Sequence, residues 1–161
     1  MPITSVESNL ETLSLTVIAD YTVSVERLWA AWADPRQLER FWGPEEWPAT
    51  FTQHDMRPGG RANYFMTGPE GQKSHGYWVF EEVEAPKRFA VKDGFANEDG
   101  SPNDQFPGSR MVIEFEATEQ GSRFVSVSTF PSLEGMETVL KMGMVEGIKS
   151  ALGKLDRVLA E

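Results

Sequence analysis

The chain has no cysteine. That excludes a disulfide framework, a thiolate nucleophile and a cysteine-bound zinc, and it fits a reducing, cytoplasmic setting. Histidine is scarce, with two in 161 residues, which leaves little imidazole for metal binding or acid–base work. Basic residues are outnumbered: 15 Lys and Arg stand against 25 Asp and Glu, a net charge of −10. A surface of that sign repels a phosphate backbone and no Lys/Arg cluster opposes it, so nucleic acid is not expected as a partner. No apolar run approaches the ~20 residues of a membrane span. The opening stretch, MPITSVESNLETLSL, lacks a basic segment followed by an apolar one, so no secretory signal is expected.

What is present describes a folded domain. Hydrophobic residues make up 40% of the chain, with five Trp among them, which suffices for one core. Residues 1–10 read as a flexible leader and 11–161 as a single domain. Leu13, Leu15, Val17, Ala19 and Tyr21 alternate with polar neighbours, the period of a half-buried strand. Ser24 is placed to cap a short helix with Val25, Leu28, Trp29 and Trp32 on its inner face. Asp34-Pro35 starts a second, with Leu38, Phe41 and Trp42 inward, and Gly43-Pro44 ends it. Turn residues then divide the chain into strands over 50–56, 62–66, 74–83, 88–92, 111–117 and 124–130. The order is one strand, two short helices, six strands and a long helix. It predicts an α+β fold, a seven-stranded antiparallel sheet curled around that helix.

The stretch from Glu134 to Glu161 reads as one amphipathic helix. Met136, Leu140, Gly143, Met144, Gly147, Ala151, Leu155 and Val158 share a stripe, while Lys149, Asp156 and Arg157 lie opposite, and Met142 falls nearly opposite as well. A helix that only fills a core does not carry Gly on that stripe, since each costs roughly 1 kcal/mol against Ala. Gly143 and Gly147 either leave room for a small molecule or let the helix pack closely on the sheet.

Polar residues dominate the connection from Asp93 to Ser109, with Phe95 and Phe106 as exceptions. Each Phe either pins the loop to the sheet or closes the mouth of a cavity. On the strands, Tyr64 and Met66 share one face, as do His75, Tyr77 and Val79. We take the Tyr64/Met66 and His75/Tyr77 faces as inward, with Trp42 beside them. The opposite faces, with Phe65, Trp78 and Phe80, are equally aromatic. His54-Asp55 and His75 could converge as a general base pair or crude metal site, but nothing in their spacing fixes such a site. No catalytic residue, metal or cofactor is assigned.

Specific words in the chain carry a resemblance. They are Ser24-Val25-Glu26-Arg27-Leu28-Trp29, Phe41-Trp42-Gly43-Pro44, Asp55-Met56-Arg57-Pro58-Gly59-Gly60, His75-Gly76-Tyr77-Trp78 and Gly143-Met144-Val145-Glu146-Gly147 ahead of Leu155-Asp156. In this order they resemble the START-like superfamily, also called SRPBCC or birch-pollen-allergen-like. Within it the chain is similar to the family homologous to the C-terminal domain of the heat-shock-protein ATPase activator. The resemblance implies a helix-grip fold: a seven-stranded sheet wrapped on a long C-terminal helix around a cavity.

Two partners follow. The first is a small hydrophobic molecule in that cavity, with Trp42, Tyr64, Met66 and Tyr77 as walls. His75 would be its polar anchor, Met136, Leu140, Gly143, Met144 and Gly147 its floor, and Phe95 and Phe106 its lid. The second, implied by the resemblance alone, is a chaperone. A cyclase-like enzyme is a third reading and needs His54, Asp55 or His75 in the cavity. A monomer or a homodimer is expected.

Overall fold

Short polar side chains fix where the helices begin. Ser24 Oγ accepts the amide of Arg27 at 3.1 Å and starts α1, Val25–Ala33. Asp34 Oδ1 accepts the amide of Arg36 at 2.9 Å, Pro35 takes the first helical position, and α2 runs Pro35–Phe41. Ser132 Oγ accepts from the Gly135 amide at 2.9 Å and starts α3, Leu133–Lys141. Each cap supplies a partner to an N–H that the helix itself cannot satisfy.

The computed structural model describes residues 3–105 and 108–161. Among them eight strands form one antiparallel sheet: β1 Ile3–Asn9, β2 Ser14–Tyr21, β3 Ala49–His54, β4 Arg61–Thr67, β5 Lys73–Glu84, β6 Arg88–Phe95, β7 Ser109–Thr118 and β8 Gly121–Thr129. Their spatial order is β1-β2-β8-β7-β6-β5-β4-β3. The helices α3 and α4 (Met144–Leu159) follow β8, and α1 and α2 follow β2. This is the α+β helix-grip fold, with one strand more than the seven expected.

The extra strand corrects the leader. Ile3–Asn9 pairs with β2, Val6 opposite Val17 and Ser8 opposite Leu15. Asn9 Oδ1 accepts the amides of Glu11 and Thr12 at 2.9 and 3.1 Å and shapes the turn. A register shift between Ile3 and Ser5 breaks the alternation that marks a strand in sequence.

The C-terminal stretch expected as one helix is two, α3 and α4. Gly143 adopts φ 90°, the left-handed region that ends helices, and separates α3 from α4. The Gly143 amide still donates to Leu140 O at 3.2 Å, while Gly143 O accepts from the Gly147 amide at 2.9 Å and opens α4.

Further register shifts in β3 (Phe51/Gln53) and β5 (Phe80/Glu82) let the sheet bend around the helices. Its inner face carries Leu15, Val17, Tyr64, Trp78, Phe80, Phe89, Ile113, Phe115 and Phe124, all buried. Trp32 of α1 stacks on Phe124, centroids 5.5 Å apart and planes 13° apart, and so ties the first helix to the sheet. On β8 the inner positions Ser122, Ser126 and Ser128 are buried and small, and Ser126 borders a space beneath α4.

A candidate ligand cavity between the sheet and the last helix

That space is a cavity of about 410 Å³. Trp32 reaches it from α1, and Trp42, Gly43, Pro44 and Trp47 from the segment after α2. Tyr64 and Met66 of β4, Ser74 of β5, and Asp93, Gly94 and Phe95 of β6 form one wall. Ser109, Met111 and Ile113 of β7 and Phe124 and Ser126 of β8 form the next. Val139, Met142 and Gly143 lie at one edge, and Met144, Gly147, Ile148, Ala151 and Leu152 of α4 close it. The size and apolar lining suit a small organic molecule.

Glycine shapes this cavity in two ways. A Cβ added at Gly147 would meet only Pro44 Cγ, at 3.9 Å, so the residue does not serve close helix–sheet packing; it leaves room. Gly76 acts in the opposite sense. It pairs with Tyr64, and a side chain there would overlap the Tyr64 ring. The bare backbone lets that ring lie across β5, where it stacks on Phe51 at 4.9 Å and 29°. Trp42 packs edge-on to Trp78 at 5.0 Å and to Tyr64 at 6.1 Å. Burial, reinforced by the charge of Asp93, holds the Tyr64 phenol well above its ordinary pKa, so it stays a neutral hydroxyl.

Several expected residues meet here: Trp42, Tyr64, Met66, Phe95, Gly143, Met144 and Gly147 all line the cavity. Others do not. The inner positions of β5 are Ser74, Gly76, Trp78 and Phe80, so strand parity sends His75 and Tyr77 to the outer face. There His75 lies over Phe65, centroids 5.8 Å apart, and the Arg61 guanidinium sits 5.5 Å from the Tyr77 ring centroid. His75 therefore cannot anchor a ligand in the cavity, nor Tyr77 wall it. Met136 is fully buried in the core and Leu140 packs against it, neither lining the cavity. The break at Gly143 resets the helical phase, so a stripe drawn through it assigns the α3 positions wrongly. Met142 reaches the rim instead, half exposed. Phe106 lies outside the described residues.

Nor do the histidines converge. His54 points inward, among the rings of Phe51, Trp78 and Phe80. Its Nε2 donates to Trp32 O at 3.1 Å, and burial lowers its pKa below the ordinary imidazole value. Asp55 pairs with Arg57 at 2.8 Å on the surface. With His75 on the outer face, none of His54, Asp55 and His75 lines the cavity, and a cyclase-like site required at least one of them there. Among the described residues no group of three or more His, Cys, Asp and Glu is placed to hold a metal ion.

One lining residue went unnoticed in the sequence. Asp93 continues the inward series Phe89, Val91 on β6, and its carboxyl faces the cavity. Burial pushes its pKa up to about 7, against the pull of the Trp78 indole and the Gly94 amide. Trp78 Nε1 lacks a partner in full hydrogen-bond geometry, so it acts on the carboxyl as a nearby dipole. Inward alternation from Phe89 was the signal that could have found Asp93.

The family described as "Activator of Hsp90 ATPase homolog 1-like protein" matches residues 22–160. The chain belongs to this family. It has structural counterparts in bacterial proteins. The crystal structure of protein Ms6760 from Mycobacterium smegmatis is 47% identical, with 98% of this chain and 97% of that one covered and a TM-score of 0.91. A solution structure of a protein from Arthrobacter aurescens is 44% identical over 98% and 91% of the two chains, with a TM-score of 0.93. The AHSA1 protein from Silicibacter pomeroyi is 26% identical over 91% and 97%, with a TM-score of 0.73. No curated protein matches the chain. Among the described residues no helix is long and apolar enough to cross a membrane.

Proposed function

We propose that the chain binds a small hydrophobic or amphipathic molecule in the cavity beneath α4, as a carrier or sensor. The observation that carries this reading is Gly147, a helix-interior glycine whose missing side chain is replaced by open space. Such a residue costs a helix roughly 1 kcal/mol, and unlike Gly153, which is equally open but away from the cavity, Gly147 lines it. Trp42, Tyr64, Met66 and Met144 supply the apolar surface, and Asp93 the ionisable group. We propose a cytoplasmic setting, with which a chain free of cysteine is consistent.

Thermal unfolding across a library of apolar and amphipathic molecules tests it. Ligands that raise the Tm of the wild type and not of Gly147→Leu support the cavity as the site. A library with no stabilising member would overturn it.

The comparisons speak more for a second reading, interaction with a chaperone. The matched family is described by an Hsp90 ATPase activator, and the net charge of −10 suits a basic partner surface. Titration with the Hsp90-type chaperone of the same cell at low salt tests it. Binding that weakens as salt rises supports this reading, and no binding at low salt removes it.

A further inference from the structure

We infer that the cavity accepts an apolar molecule bearing one ammonium group, held by Asp93; this rests on the reading of the cavity as a ligand site. The cavity's described lining residues include one carboxyl, Asp93, and no Lys, Arg or His. None of the ion pairs among the described residues includes Asp93. A carboxylate in such surroundings carries an uncompensated charge, which a cation from outside the chain relieves.

The rest of the wall suits the same ligand. Trp32, Trp42, Trp47 and Tyr64 present aromatic surface, and aromatic faces attract cations. The net charge of −10 draws cations to the molecule and repels anions. The Trp32 indole N–H is buried without a partner, and that of Trp42 acts on the Tyr64 hydroxyl as a nearby dipole without full hydrogen-bond geometry. Trp32 lines the cavity and keeps a donor without an acceptor, so an amine that also carries an oxygen acceptor suits this wall better than a bare alkylamine.

The neighbours of Asp93 are well defined. Trp78 of β5 and Ser109 of β7 are its register partners. The Tyr64 phenol of β4 is the other titratable group of the lining, and α4 offers Met144, Gly147, Ile148, Ala151 and Leu152, none of which titrates. On the outer face stands Tyr77, whose phenol feels Asp93, Arg61 and Asp104. Within the cavity, then, a ligand ammonium would be the first positive charge that the Asp93 carboxyl meets. Burial favours its protonated form while the cavity is empty, and an ammonium favours the ionised one.

The test is calorimetric titration of the full chain at about pH 8, where Asp93 is largely ionised, with naphthylethylamine, naphthylethanol and naphthylacetate. The amine is expected to bind about tenfold tighter than the alcohol, with the acetate weakest, and Asp93→Asn is expected to bring the amine down to the alcohol's level. Carboxyl-carbon NMR of the wild type gives a reading that needs no variant: the Asp93 pKa should fall when the amine saturates the protein and should not fall with the alcohol. Equal binding of amine and alcohol, or an amine preference that survives in Asp93→Asn, overturns the inference and leaves the cavity reading standing. Binding of none of the three overturns both.

Discussion

Gly147 on α4 and Pro44 both line the cavity, and the space between them is empty enough that a Cβ at position 147 would stand 3.9 Å from Pro44 Cγ. Ala therefore fits there without collision. Gly147→Ala should stabilise the fold by about 0.5–1 kcal/mol through helix propensity, read from urea midpoints. Gly147→Leu should fold as well but occupy the cavity, weakening any cavity ligand by about tenfold or more. A Gly147→Leu variant that binds like the wild type would place the ligand elsewhere.

Tyr64 depends on Gly76 in the opposite way. A side chain at position 76 overlaps the Tyr64 ring, so Gly76→Ala must push that ring off β5 and toward the cavity. The expected loss is about 1–3 kcal/mol, the usual cost of overpacking. Gly76→Ala with Tyr64→Ala should recover part of the overpacking penalty relative to the sum of the single variants, because the colliding ring is gone. Strict additivity would contradict the proposed clash.

Asp93 should give the protein an unusual pH dependence. Its pKa is raised from 3.8 to about 7 in the folded chain, so the folded state holds its proton more tightly than the unfolded state. Its contribution to stability is full below about pH 4 and is lost as pH rises toward 7. The whole loss is on the order of 4 kcal/mol at most. Asp93→Asn should accordingly be more stable than the wild type at about pH 8, with the advantage shrinking toward about pH 4. Denaturation midpoints at the two pH values measure this, and an advantage independent of pH would contradict it.

His54 should act with the other sign. Burial lowers its pKa from 6.5, so the unfolded chain takes up the proton first. The stability it contributes is present above about pH 6.5 and is lost as pH falls through its folded value. His54→Gln should flatten the acid side of the stability profile while leaving the Asp93 slope in place. An unchanged acid side would mean that His54 is solvated.

The parts of the fold governed by neighbouring residues were legible in the sequence. Ser24, and Asp34 with Pro35, mark helix starts through contacts two or three residues away, and the alternation of β2 is visible because only its inner face is buried. What depended on distant partners was not. β1 owes its existence to pairing with β2 and carries a register shift. The inner face of β5 turns on Gly76, a position with no side chain to reveal that it is buried; a parity error of one residue exchanged Trp78 and Phe80 for His75 and Tyr77. Gly143 is read within a helical stripe as a small residue, whereas its φ of 90° makes it the end of one helix and the start of the next. Asp93 beside Gly94 looks like the start of a turn, yet β6 continues to Phe95 and carries the carboxyl inward.

The most direct measurement is native mass spectrometry of freshly purified protein, set against the denatured mass and against Gly147→Leu prepared in parallel. A bound molecule in the wild type that is absent from Gly147→Leu is the result expected if the cavity beneath α4 is the working site, and its mass would give the ligand class. An adduct that persists equally in Gly147→Leu would contradict that assignment of the site.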